Sequence, residues 1–236
     1  MDRAEKLEII NLLEEKRRRE DGRSFFLHTL YPDEGPLRRE LYSKHMQFFA
    51  AGTIHQERAT VSANRIGKSM GIGAYESALH LTGLYPDWWP GRRFEHAVDW
   101  WAASNTAETT RDICQREFLG PLGAMGTGMI PKHLIIGDPT HRRGVAGAID
   151  TVRIEHVSGD VSQLAFKSYD QGREKFQGTA KHGIWFDEEC DEEIYFEALS
   201  RLMTTSGMMI ATFTPLLGLS KIVLRFLPNL AMKETA

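Results

Sequence analysis

The chain has 236 residues, 42% of them hydrophobic and 26% charged, with a formal net charge of −3; this is an ordinary globular composition with material for a sizeable core, and it offers no general attraction to nucleic acid or to an anionic membrane. The nine histidines show no H-E-x-x-H pairing, the two cysteines, Cys114 and Cys190, have no metal-like spacing, and no apolar run approaches the roughly 20 residues of a membrane span. With only these two cysteines, far apart, a reduced, cytosolic setting fits best, and the charged N-terminus does not resemble a signal peptide.

In chain order, residues 4–20 pattern as a helix, with Leu7, Ile10 and Leu13 on one face and Asp21-Gly22 as a stop. A loop over 32–36 precedes a second helix over about 37–51. Near its end, Gln47 carries an amide that both donates and accepts, as reading an adenine edge requires; a surface glutamine beside two core phenylalanines is the alternative. Basic clusters stand at Lys16-Arg17-Arg18-Arg19, Arg92-Arg93 and Arg142-Arg143, where any DNA contact would have to arise; each is otherwise a solvated surface.

Residues 59–73, ATVSANRIGKSMGIG, read as a short apolar strand, a tight polar turn and the start of a helix. That order suits a phosphate-binding loop, because N–H groups in the first helical turn point at an anion and the helix dipole favours negative charge there. Lys68 would reach the β- and γ-phosphates, and the Ser69 hydroxyl would take a place on Mg²⁺. Ser62 stands where the pattern G-x-x-x-x-G-K-[ST] has its first glycine.

The following helix runs to about Leu81 and stops at Gly83. Residues 84–93 form a Pro/Gly-punctuated loop whose Trp88 and Trp89 either stack on bases or plug the loop onto the domain. A buried strand is expected over 96–103 and a helix over about 106–119, capped by Ser104-Asn105. Residues 120–147 are glycine-rich and read as irregular, functional or mobile. A β-hairpin follows over 148–157 and 161–169, then a polar loop over 168–178.

Residues 181–189, KHGIWFDEE, carry a short apolar strand ending in Asp187 and Glu188. Strand-tip acids of this kind can hold the Mg²⁺ shell, through Asp187, and orient and deprotonate a water, through Glu188. Asp191, Glu192 and Glu193 instead suit the N-terminus of a helix over about 192–204. A last buried strand, over 207–215, ends in Thr212 and Thr214, whose hydroxyls can bond a γ-phosphate or its lytic water if the strand neighbours the phosphate loop.

Together, ANRIGKS, LTGLYPDWWPG, SYDQGREKFQG, IWFDEE and ATFTP resemble the N-terminal ATPase domain of the large terminase subunits of tailed double-stranded DNA phages, over roughly 41–228. The resemblance implies a P-loop NTPase of the ASCE type, an α/β domain over 37–236 with a mainly parallel central sheet flanked by helices, after a helical lead-in over 1–36. It implies ATP and Mg²⁺ as cofactors, and a motor that drives double-stranded DNA into a procapsid. The partners implied are the portal protein, the small terminase subunit and further copies in a ring, in the host cytoplasm and away from membranes.

By the same resemblance, Gln47 contacts adenine, and Ser62, Ala63, Asn64, Arg65, Ile66, Gly67, Lys68 and Ser69, with Met70 behind them, form the Walker A loop. Asp187 and Glu188 are the Walker B pair, and Thr212 and Thr214 belong to the coupling motif. Arg65 fits the arginine typical of the family's loop, as a γ-phosphate sensor or a link to domain movement. Arg173 is the candidate for an arginine supplied to a neighbouring subunit. Full-length members carry a C-terminal nuclease; the chain stops at Ala236 with no second carboxylate constellation, so no cutting is expected of it. A helicase-like P-loop ATPase acting on nucleic acid and a non-catalytic nucleotide-gated adaptor are the competing readings, the second disfavoured by the Asp187-Glu188 pair.

Overall fold

The apolar runs become strands of one seven-stranded sheet in a computed structural model that describes residues 26–63, 67–216, 218 and 220–227. A helical turn (α1, Phe26–Thr29) and a 3₁₀ turn (Arg39–Tyr42) lead into α2 (Ser43–Ala51). Then come β1 (Glu57–Val61), a π-helical stretch (Lys68–Ala74) continuing as α3 (Tyr75–Thr82), β2 (Asp99–Ser104) and α4 (107–119), which is π-helical over Thr110–Gln115. Strands β3 (Ile135–His141), β4 (Ile149–Glu155), β5 (Val161–Ser168) and β6 (Gly183–Asp187) follow, then α5 (Glu192–Ser200), β7 (Met208–Phe213) and α6 (Lys221–Phe226). The expected lead-in helix lies outside the described residues.

The strand order is β1-β7-β6-β2-β5-β4-β3. The first five are mutually parallel, and the β5–β4 and β4–β3 pairs are antiparallel. Strands β6 and β7 are buried along their whole length and β2 along nearly all of it, as strands covered on both faces must be. Alternate side chains enter opposite layers: Trp100, Trp185 and Ile210 pack toward α3, whereas Trp101, Ile184, Phe186 and Met209 pack toward α5 and α6.

The stretch 120–147, read from sequence as wholly irregular, in fact contains strand β3. Gly137, at φ +64°, and Pro139 interrupt its ladder, with register shifts between Ile136 and His141. Only an edge strand tolerates such residues, and they hid the strand. Helix α5 ends at Ser200 rather than near 204, and the chain turns over 201–206 with Ser206 at φ +49°. The helix read over 37–51 splits into the 3₁₀ turn and α2. Trp89 plugs the 84–93 loop into the core, 4.7 Å from the Phe49 ring, and Trp88 lies under Arg39.

Two features fix the helix that follows the phosphate loop. A Cβ on Gly73 would overlap the Trp185 indole, so glycine lets the helix lie directly on β6. Deeper in, Glu76 is fully buried and takes a bidentate pair from Arg58 of β1, at 2.7 and 3.0 Å. Burial acts to raise the Glu76 pKa, but Arg58 and His80 outweigh it and hold it below the usual carboxylate range. Replacing Arg58 by Met strands that carboxylate in the core. Denaturant unfolding of Arg58→Met should show a loss of about 3–5 kcal/mol; a loss under about 1 kcal/mol would show that the pair does not anchor α3.

Candidate active site

Strands β1, β7 and β6 end together because their register is parallel and unstaggered: Thr60 lies beside Thr212, and Thr212 beside Asp187. Their carboxyl ends therefore present residues from three distant stretches at one edge, where ligands of open α/β sheets bind. From the end of β1 the chain passes through Ser62 and Ala63, and it re-enters at Gly67, whose φ of +83° only glycine adopts without strain. Asn64, Arg65 and Ile66 lie outside the described residues.

Lys68 opens the π-helical stretch and turns back into the loop. Its buried ammonium donates to the Ser62 and Ala63 carbonyls, at 2.7 and 3.0 Å, and to the Thr214 hydroxyl at 2.6 Å. Thr214 in turn donates to the Ser62 carbonyl at 3.0 Å. Burial lowers the Lys68 pKa, while the charges of Glu188 and Asp187 pull it the other way. The lysine is thus a largely desolvated cation on neutral oxygens, suited to a stronger anionic partner.

Asp187 is 1% exposed, and its two oxygens differ. Oδ1 accepts from Ser69 Oγ at 2.6 Å and from Thr212 Oγ1 at 3.0 Å. The Trp185 indole N–H holds that threonine at 2.8 Å. Oδ2 is buried with no hydrogen-bond partner. Burial, the largest influence, raises the Asp187 pKa to about 6 against the donors from Ser69 and Thr212. An orphaned carboxylate oxygen beside a serine hydroxyl is the donor set a hard cation takes. Among the described residues no group of three or more His, Cys, Asp or Glu side chains could hold a metal.

Glu188 has φ +67°, a strained backbone for a non-glycine residue. Its N–H donates to the Thr212 carbonyl at 2.9 Å, and Oε2 lies 3.5 Å from the Thr214 N–H. Lys68, Ser69, Asp187, Glu188, Thr212 and Thr214 therefore form one connected group.

Other sequence-derived candidates fall elsewhere. Gln47 is exposed on α2 and accepts from Lys44 at 3.4 Å. It does not line the cavity of about 310 Å³ that opens beside Gly67; Leu37, Tyr42, His45 and Met70 do, with Tyr31. Tyr31 donates to the Gly71 carbonyl at 2.7 Å and lies 2.6 Å from His45 Nδ1, tying α2 to the loop's helix. Arg173 is half-exposed and paired with Glu197 at 3.2 Å. Of the basic clusters, Arg92 donates to the Ser206 carbonyl, Arg93 to the Pro86 carbonyl and Arg142 to the Ser168 hydroxyl, and the first cluster lies outside the described residues. Trp185, Tyr31 and His45 were not singled out from sequence, since each fits an ordinary apolar pattern.

A mainly parallel sheet whose first strand runs through a glycine turn into a lysine-bearing helix, with two adjacent carboxylates at the tip of β6, one strand removed, is the P-loop NTPase fold. Residues 60–235 match the family described as terminase large subunit, T4likevirus-type, N-terminal, and the chain belongs to that family. It is 36% identical over 248 residues to the terminase large subunit of Salmonella phage P22, covering 95% of this chain and 46% of that relative's length. Two solved structures of the large terminase of a thermophilic bacteriophage, one of them in complex with ADP, match at TM-scores of 0.47 and 0.46 and identities of 11% and 12%, over 72% of this chain and 37% of those.

The raised Asp187 pKa sets a stability test. Between about pH 4 and 6 the folded state binds more protons than the unfolded state, so stability falls as pH rises through that window, and the full cost persists above about pH 6. The shift of about two units corresponds to about 3 kcal/mol. Asp187→Asn should therefore be more stable than the unliganded wild type at pH 8, by up to about 3 kcal/mol, with the gain shrinking toward pH 4. Thermal unfolding across pH checks this; a variant less stable than the wild type at pH 8 would contradict it.

Proposed function

We propose that this chain is the ATP-hydrolysing motor domain of a phage large terminase, powering movement of double-stranded DNA into a procapsid. The observation that carries the reading is the convergence of Lys68, Ser69, Asp187, Glu188 and Thr214 at one sheet edge. Membership of the terminase large-subunit family supports the packaging role.

In this reading the triphosphate displaces the Ser62 and Ala63 carbonyls and Thr214 from Lys68, whose ammonium moves to the β- and γ-phosphates. Ser62, Ala63, Asn64, Arg65, Ile66 and Gly67 supply the loop around the phosphates, with Arg65 as γ-phosphate sensor. Ser69 and Asp187 would hold Mg²⁺, which when bound neutralises charge on the phosphates. Glu188 orients the attacking water and takes its proton during in-line attack on the γ-phosphorus. Thr214, released from Lys68, and Thr212 report the state of the γ-phosphate along β7.

The base fits the cavity beside Gly67, where Leu37 and Met70 provide an apolar floor and Tyr42 a stacking face. Gln47 reads the adenine edge only if its exposed side chain turns from Lys44 toward that cavity. Arg173 stands in the segment between β5 and β6, and its exposure suits donation to a neighbour's site in a ring. The portal protein and the small terminase subunit are the remaining partners, in the host cytoplasm at the procapsid. No helix among the described residues is long and apolar enough to cross a membrane.

Glu188→Gln separates chemistry from binding. Affinity for a slowly hydrolysed ATP analogue should stay within about threefold of wild type, while turnover falls by about a hundredfold or more, as loss of a general base requires. Unchanged turnover would remove Glu188 as the base.

A further inference from the structure

Tyr169 follows β5 directly and reaches under the strand tips that carry Asp187 and Glu188. The β2–β6 ladder closes at Ala103 opposite Phe186, beyond which the two strands part. The Tyr169 hydroxyl sits in that fork, 3.2 Å from the Ala103 carbonyl, 3.0 Å from that of Asp187 and 3.1 Å from that of Glu188. Its one proton thus faces three backbone carbonyls from the ends of two adjacent strands. Burial keeps the phenol protonated, well above its usual pKa, with the charges of Asp187 and Glu188 acting in the same direction.

The Glu188 peptide is thereby pinned on both sides. Its N–H is held by the Thr212 carbonyl of β7, and its carbonyl faces Tyr169. Strained dihedrals persist only where surrounding contacts over-determine them. Among the described residues Glu188 is one of three non-glycine positions with positive φ, and it stands at the chemistry. We infer that Tyr169 is a positioning residue for hydrolysis: its hydroxyl bridges the ends of β2 and β6 and holds Glu188 in the left-handed conformation that aims its carboxylate at the water. The inference rests on the ATPase reading and extends it to a residue buried behind the strand tips.

The test compares wild type, Tyr169→Phe and Phe176→Leu by ATP turnover and by equilibrium binding of ADP. Phe176→Leu loosens the same aromatic cluster, where Phe176 lies 6.4 Å from Tyr169 and 5.9 Å from Phe186, and touches none of the carbonyls. Tyr169→Phe should lower kcat about tenfold or more with the ADP affinity within about twofold, because binding does not need Glu188 in place. Phe176→Leu should lower the melting temperature and keep kcat within about twofold. Should Tyr169→Phe be folded only at lower temperature, the same comparison made there should give the same split. Wild-type kcat in the tyrosine variant, or an equal loss of kcat in Phe176→Leu, would overturn the inference. A folded wild type that binds no ADP would instead overturn the nucleotide-site reading, and Tyr169's role with it.

Discussion

The site depends on the unstaggered register of β1, β7 and β6. Side chains on adjacent parallel strands meet at the sheet edge only if the strands stop level, and a slip of one residue would also turn every buried side chain to the opposite layer. Thr60, Thr212 and Asp187 share one row, which puts Ser69 within bonding reach of Asp187 and Thr214 within reach of Glu188. Burial on both faces locks that row: Trp185 packs against Gly73 on one side, and Phe186 packs against Tyr195 on the other. The indole that fills the core also holds Thr212 against Asp187, so packing and site geometry share an atom.

The ionisable groups assembled there are held at a local cost. Lys68 is desolvated on neutral oxygens, Asp187 keeps one buried oxygen without a partner, and Glu188 carries backbone strain. Each is a local cost that the rest of the fold sustains, through the Arg58–Glu76 pair under α3 and the two apolar layers. On the proposed reading, such a site is preorganised for an anion with its cation, because the groups need little rearrangement to meet them. The covalent machinery is sparse, as in-line phosphoryl transfer asks mainly for positioning and charge.

Much of this was legible in the sequence. Gly67-Lys68-Ser69 between a strand and a helix, and Asp187-Glu188 after an apolar run, marked the stretches that meet at one sheet edge. The central strands announced themselves by short apolar runs, which the structure buries almost completely. Strand β3 did not, because Gly137 and Pro139 are loop residues that an edge strand absorbs. Tyr169 and Trp185 were illegible for a different reason: their roles lie in one hydroxyl and one N–H aimed at strand tips, and only register shows where those tips are. Gln47 shows the converse, a residue chemically suited to a base whose side chain the fold leaves in solvent beside Lys44.

The most direct test of this site is calorimetric titration with Mg²⁺ and a slowly hydrolysed ATP analogue, comparing the wild type with Lys68→Ala. Binding is the right quantity, since it does not depend on the arginine that, on the proposed reading, a neighbouring copy would supply for turnover. The wild type should bind, and Lys68→Ala should weaken binding by at least about tenfold, the worth of one charge-assisted contact to phosphate. Equal affinity in two folded proteins would contradict the assignment of Lys68 and the phosphate loop.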